Sequence, residues 1–168
     1  DLYRDPDVDF PDPVDSGLPV AAETHAEIRR NYAAMVEYLD DCVGRFLDTL
    51  EERSELENTL VVYSSDHGEM LGDHGQWEKR SPRQPSVGVP LVMSGPDVEQ
   101  RDPVDHPATI LDLHATFLDI ARLDPGNQLV SRSLASFLAG EGEHPREVVH
   151  SGLGPWRMVC DRTHELTR

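Results

Sequence analysis

Residues 59–79 read TLVVYSSDHGEMLGDHGQWEK. The opening run, Thr59 to Ser64, is short and apolar, which predicts a strand buried on both faces and so favours a largely parallel sheet. A polar, glycine-rich loop follows directly. In open α/β sheets, ligands bind beyond the carboxyl ends of the strands, and Asp66 and His67 fall at that end of this one. Gly68 permits a sharp backbone turn just after them. A carboxylate beside an imidazole on such a turn can face one metal ion. Carboxylate oxygen suits hard cations, and neutral imidazole suits Mn, Fe or Zn. Two ligands do not complete a site, and an isolated Asp-His-Gly reads first as an ordinary polar turn. The wider loop gives the tripeptide its chemical meaning. Thirteen residues after Asp66 comes Lys79, the only lysine in the chain. A compact, strongly hydrated ammonium suits a tetrahedral anion; the plain alternative is a surface lysine.

Working outward, residues 1 to about 21 are rich in Pro and Asp without periodicity and read as an extended connecting segment. From Ala22 to Arg53, apolar residues recur at three- and four-residue steps through Ile28, Tyr32, Met35, Val36, Leu39, Val43, Phe46, Leu47 and Leu50. That pattern predicts a long amphipathic helix, with Thr24 and Glu27 as a capping box near its start. After the loop, Val87–Met93 is a second strand candidate that Pro90 pushes towards an edge or a bulge. Pro107 to about Arg122 predicts a helix with Ile110, Leu113, His114, Phe117, Leu118 and Ala121 on its core face, which makes His114 a core histidine. Ser133–Ala139 predicts a short helix ended by Gly140. Residues 147–150 and 157–160 are late strand candidates. The order fits an α/β architecture over residues 22–168.

Composition bounds the function. The chain has 168 residues, 38% of them hydrophobic, with a net charge of −17 from 32 acids against 15 bases. Nucleic-acid binding is excluded, because phosphate backbones demand basic patches. The acidic, lysine-poor balance predicts adaptation to high salt, where self-repulsion is screened. Cys42 and Cys160 are too few for a disulfide framework and lack zinc spacing. No apolar run reaches membrane length, so no membrane partner is expected. His25, His106, His144, His150 and His164 show no metal spacing, and Trp156 reads as a packing residue.

The stretch LENTLVVYSSDHGEMLGDHGQWEK, followed by PSVGVPLVMSGP, resembles the sulfatase family of the alkaline phosphatase superfamily. Within it, the resemblance is to the branch of arylsulfatases, choline sulfatases and phosphonate monoester hydrolases that carries Asp-His in place of Asp-Asn. It extends back through Tyr38–Arg45, similar to Y-x-x-x-V-x-x-x-D-x-x-V-G-R. It extends forward through Ile110–Ala121, like D-L-x-P-T-L-L-D-L-A, and through Arg132–Gly140, like G-R-S-L-x-x-x-L-x-G. It covers about residues 22 to 160. The fold implied is an alkaline phosphatase-like sulfatase fold, here a partial central sheet flanked by helices. The resemblance implies that Asp66 and His67 are ligands of a divalent metal (Ca first, with Mn or Mg as alternatives). It implies that Lys79 contacts the sulfate of a small-molecule sulfate ester and neutralises charge on the ester oxygen. His74 lies in the matching loop, as a substrate-pocket or supporting residue or as a solvent-facing histidine.

Two departures concern K-x-x-x-x-E-x-S-x-R-V-P, where Gln84 and Gly88 replace the family's Glu and Arg. A third is an absence: no C/S-x-P-S/A-R sequence occurs, so the formylglycine nucleophile that the family implies is not in this chain. The upstream Asp pair is also lacking. The chain therefore resembles the C-terminal part of a sulfatase and is expected to have no turnover alone. Two other readings stay open: part of a phosphodiester or phosphonate monoester hydrolase, and a non-catalytic interaction domain. A partial sheet predicts an exposed edge and self-association through it. The cytoplasm of a halophile is the expected location, with secretion the alternative if a signal lies upstream.

Overall fold

The computed structural model of the chain describes residues 11–17, 19–124 and 130–168. Most of the predicted connecting segment lies outside the described residues. The chain folds as two compact units. One combines the residues up to Thr59 with His67–Gly88, and the other combines Leu60–Asp66 with Val89–Arg168.

The first unit is dominated by helix α1, Ala22–Glu52, whose 31 residues span about 46 Å at the usual rise. Its boundaries match the periodicity. The predicted capping box does not form, because the helix begins at Ala22 with no side-chain cap and Thr24 lies inside its first turn. Ser54 closes the other end with φ of 54°, and Glu55 N–H reaches back to the Leu50 carbonyl at 2.9 Å. The apolar stripe is present but not buried: Tyr32, Met35, Val36, Leu39 and Phe46 are each more than a third exposed. Helix α2, Gln84–Val87, is a single turn near the end of the unit.

In the second unit, strand β1, Val61–Ser64, pairs antiparallel with β2, Leu91–Ser94, placing Val62 opposite Met93. The largely parallel sheet expected from the apolar run is therefore not seen: every strand pairing among the described residues is antiparallel. Nor is β1 buried on both faces, since Tyr63 is exposed. Strand β2 starts later than predicted because α2 takes residues 84–87 and Pro90 has no N–H to donate. Helix α3, Leu111–Ile120, and α4, Ala135–Leu138, follow. Strands β3 (Val149–Leu153), β4 (Trp156–Cys160) and β5 (Glu165–Thr167) form an antiparallel meander.

Helix α3 buries a different face from the one its apolar residues suggest. Ile110, Phe117 and His114 are exposed, whereas Asp112, Ala115 and Thr116 are buried. His114 is thus not a core histidine. Asp112 explains the rotation. Its fully buried carboxylate takes a bidentate grip from Arg146, with Nε and Nη2 both at 2.6 Å, and a third bond from Arg132 N–H at 2.8 Å. Thr116 Oγ1 accepts from Leu134 N–H at 2.9 Å and donates to the Asp112 carbonyl at 2.7 Å. Ser131 Oγ donates to the Leu111 carbonyl and accepts from Ala115 N–H. A buried charge needs such partners, and the helix turns to supply them.

Removing one partner leaves the other charge buried and unpaired. Asp112→Ala is therefore expected to destabilise the second unit by about 3–5 kcal/mol, read as a lower urea midpoint. The double change Asp112→Leu with Arg146→Met should recover much of the loss.

Candidate functional site

Strand β1 runs out at Ser64, and the chain passes through Ser65 to an exposed Asp66 and then a half-buried His67. His67 Nδ1 lies 2.8 Å from the Gly68 carbonyl oxygen. A carbonyl only accepts, so Nδ1 is the donor in this contact. Metal-binding histidines fix their ring in the same way, through a hydrogen bond from the nitrogen that does not ligate.

Gly68 is required by close approach. A Cβ here would stand 2.0 Å from the Pro85 carbonyl oxygen and 3.0 Å from that of Gly88. Its N–H donates to the Ser86 carbonyl at 2.9 Å. Ser86 is itself buried, and its hydroxyl donates to the Lys79 carbonyl at 2.5 Å. One serine therefore ties the turn after His67 to the backbone of Lys79. The substitution of Gln84 and Gly88 for the family pattern also becomes intelligible. Gln84 Nε2 and Cδ sit 2.4 and 2.7 Å from where a Cβ of residue 88 would be, so the long side chain and the missing one share a space.

The loop between these points closes on itself. Met70 N–H donates to the Glu78 carbonyl at 3.0 Å, and Gly72 N–H to that of Gln76 at 2.9 Å. The Glu69 carboxylate accepts from Glu78 N–H at 2.8 Å and Leu71 N–H at 3.2 Å. Met70 is fully buried beneath it. Leu71, His74 and Glu78 all take positive φ, a set of strained turns that needs this much fixing. Helix α1 contributes Arg29, whose guanidinium donates to the Leu71 carbonyl at 3.1 Å and to Asp73 at 2.6 Å. Lys79 emerges from this frame exposed. His74 is engaged elsewhere. Its N–H donates to the Val14 carbonyl at 2.6 Å, and its Nδ1 stands 4.0 Å from the Asp15 carboxylate.

Sequence reasoning missed Ser86, Glu69, Arg29 and Asp73. Only Ser86 had a signal, as the serine of the K-x-x-x-x-E-x-S pattern. Among the described residues, no group of three or more His, Cys, Asp or Glu side chains is placed to hold a metal. Asp66 and His67 fit a divalent ion by donor type, as two members of a larger set. The second unit also holds a groove of about 830 Å³ lined by residues that include Met93, Glu99, Arg101, His106 and His144. There the His106 and His144 rings stack at 4.9 Å, and burial lowers the His144 pKa. None of the predicted site residues lines this groove.

Two substitutions grade the anchoring. Gly68→Ala drives a Cβ into fixed backbone and is expected to unseat the 67–79 loop. Ser86→Ala removes one hydrogen bond and orphans a carbonyl, costing about 1–3 kcal/mol with the fold retained. Urea denaturation, with amide exchange along residues 68–79, should rank them in that order.

Comparisons with known proteins place the chain in a family. A family model described as Sulfatase matches residues 5–123. The choline-sulfatase of Rhizobium meliloti is 39% identical over 104 residues, 61% of this chain and 20% of that one. Arylsulfatase K of Canis lupus familiaris is 34% identical over 132 residues, 77% of this chain and 24% of that one. A solved phosphonate monoester hydrolase from Silicibacter pomeroyi superposes with a TM-score of 0.75 at 26% identity, covering 90% of this chain and 36% of that one. The chain thus spans about a fifth to a quarter of the length of these curated relatives. The fold is that of the alkaline phosphatase-like sulfatases, and the chain belongs to the sulfatase family.

Proposed function

We propose that the chain is the C-terminal part of a sulfuric ester hydrolase acting on a small-molecule sulfate ester. The observation that carries this reading is the Gly68–Ser86–Lys79 linkage, which holds the Asp-His turn and the only lysine in one hydrogen-bonded frame. Asp66 and His67 would hold a divalent ion, Ca first, with Mn or Mg suiting the same donors. When bound, that ion supplies positive charge beside the sulfate oxygens. Lys79 adds a second cation and neutralises charge gathering on the ester oxygen as its bond to sulfur breaks. The nucleophile, a formylglycine, would come from outside these 168 residues, which hold no C/S-x-P-S/A-R sequence. His74 supports the loop through residues 14–15 in this reading. The likeness to a phosphonate monoester hydrolase favours one alternative, in which the same residues serve an ester of phosphorus. The acidic balance supports a high-salt cytoplasm, and the open edges of the small sheets support self-association.

The test joins this chain to the reading frame upstream of it and assays the whole protein on an aryl sulfate and an aryl phosphonate. The aryl sulfate should be preferred, Lys79→Ala should lower kcat/KM by about 10²–10³-fold, and the 168-residue chain alone should be inactive. Preference for the phosphonate would establish the alternative. Metal-dependent turnover by the chain alone, or an inactive whole protein, would overturn the proposal.

A further inference from the structure

His25 lies in the first turn of α1 and is only 4% exposed. Among the described residues, neither of its ring nitrogens has a hydrogen-bond partner. A buried imidazole with two unpaired nitrogens is unfavourable as a polar group, so something about its shape must keep it there. Its surroundings show what. The ring stacks on the indole of Trp77, with centroids 5.5 Å apart and planes 14° from parallel. Its Cε1–Nδ1 edge faces Gly72 so closely that a Cβ on Gly72 would stand 2.7 and 2.9 Å from those atoms, and 3.4 Å from the Trp77 ring. Gly72 is also the residue that turns the loop, at φ of 88°.

We propose that His25 is a positioning residue for Lys79, acting as a flat plate on which the 70–78 loop is seated. The force passes along a short path. The plate holds Gly72 and Trp77, which lie on the two arms of the loop. The arms are joined by the Gly72–Gln76 and Met70–Glu78 hydrogen bonds, and Lys79 follows Glu78 directly. Arg29, one helical turn along α1 from His25, grips the same loop at Leu71 and Asp73. The two side chains project from one side of the helix, because residues four apart share a face. A leucine would fill the volume without offering a flat face to the indole and a thin edge to Gly72. A phenylalanine keeps the flat plate and gives up only nitrogens without a hydrogen-bond partner among the described residues. The role in catalysis rests on the sulfatase reading of Lys79, whereas the seating of the loop does not.

The experiment uses the 168-residue chain and two readouts. Amide exchange follows Gly72, Gln76 and Glu78, whose N–H groups are bonded within the loop. Acylation of the single lysine, mapped by peptide mass and repeated with inorganic sulfate as the probe, follows Lys79. In His25→Ala and His25→Leu these amides should exchange about tenfold faster or more, and in His25→Phe they should stay within about threefold of the parent. The amides of the Asp112–Arg146 region should not change in any of them, which separates loop release from unfolding. Trp77→Leu should release the loop alone, and adding His25→Ala to it should release little more. Sulfate should slow acylation of the parent and of His25→Phe, and lose that effect in His25→Ala. The proposal is overturned if His25→Leu holds the loop as well as His25→Phe, or if His25→Ala leaves it protected. Absence of sulfate protection in the parent, with the exchange pattern intact, sinks the sulfatase reading of Lys79 and leaves the seating of the loop standing.

Discussion

Ser86 makes two hydrogen bonds that the candidate site depends on. Its carbonyl accepts from Gly68, beside His67, and its hydroxyl donates to the carbonyl of Lys79. His67 and Lys79, twelve residues apart in sequence, are thus referred to one buried residue. The arrangement works only because residue 68 has no Cβ to collide with the Pro85 carbonyl. Preorganisation of this kind is what lets a cation act on developing charge without first being ordered. The remaining devices serve the same frame: Glu69 and Met70 close the loop, and Arg29 pins it to α1.

A second constraint is what the chain leaves uncovered. The stripe on α1 and the apolar face of α3 are both exposed, and large apolar patches on a folded surface mark a contact to be made. In a chain that spans about a fifth to a quarter of its curated relatives, such faces are expected where the rest of a domain would pack. Within the second unit a buried ion pair, Asp112–Arg146, joins residues 34 apart in sequence.

The sequence made the loop, its lysine and both ends of α1 legible, because local spacing and family motifs report local structure. It misread what long-range contact decides. The apolar face of α3 pointed to burial of His114 and Phe117, yet a buried carboxylate with four hydrogen bonds fixed the helix rotation the other way. The Thr59–Ser64 run carried no signal for pairing direction, since a short apolar strand looks alike in parallel and antiparallel sheets. Strand β5 was missed because Glu-Leu-Thr has neither length nor a buried face. Arg29 was unreadable as a site residue because its partners lie 42 and 44 residues away.

Asp66 and His67 are proposed as metal ligands, and not merely as two polar residues in an acidic chain. The most direct test is paramagnetic broadening of amide signals in the isotope-labelled chain on adding Mn(II), at high KCl to suppress loose binding to the acidic surface. The account predicts weak binding with broadening centred on Asp66 and His67, abolished by Asp66→Asn. Broadening centred on acidic stretches of α1, such as Asp40–Asp41 or Glu51–Glu52, with the Asp66 and His67 signals intact, would contradict it.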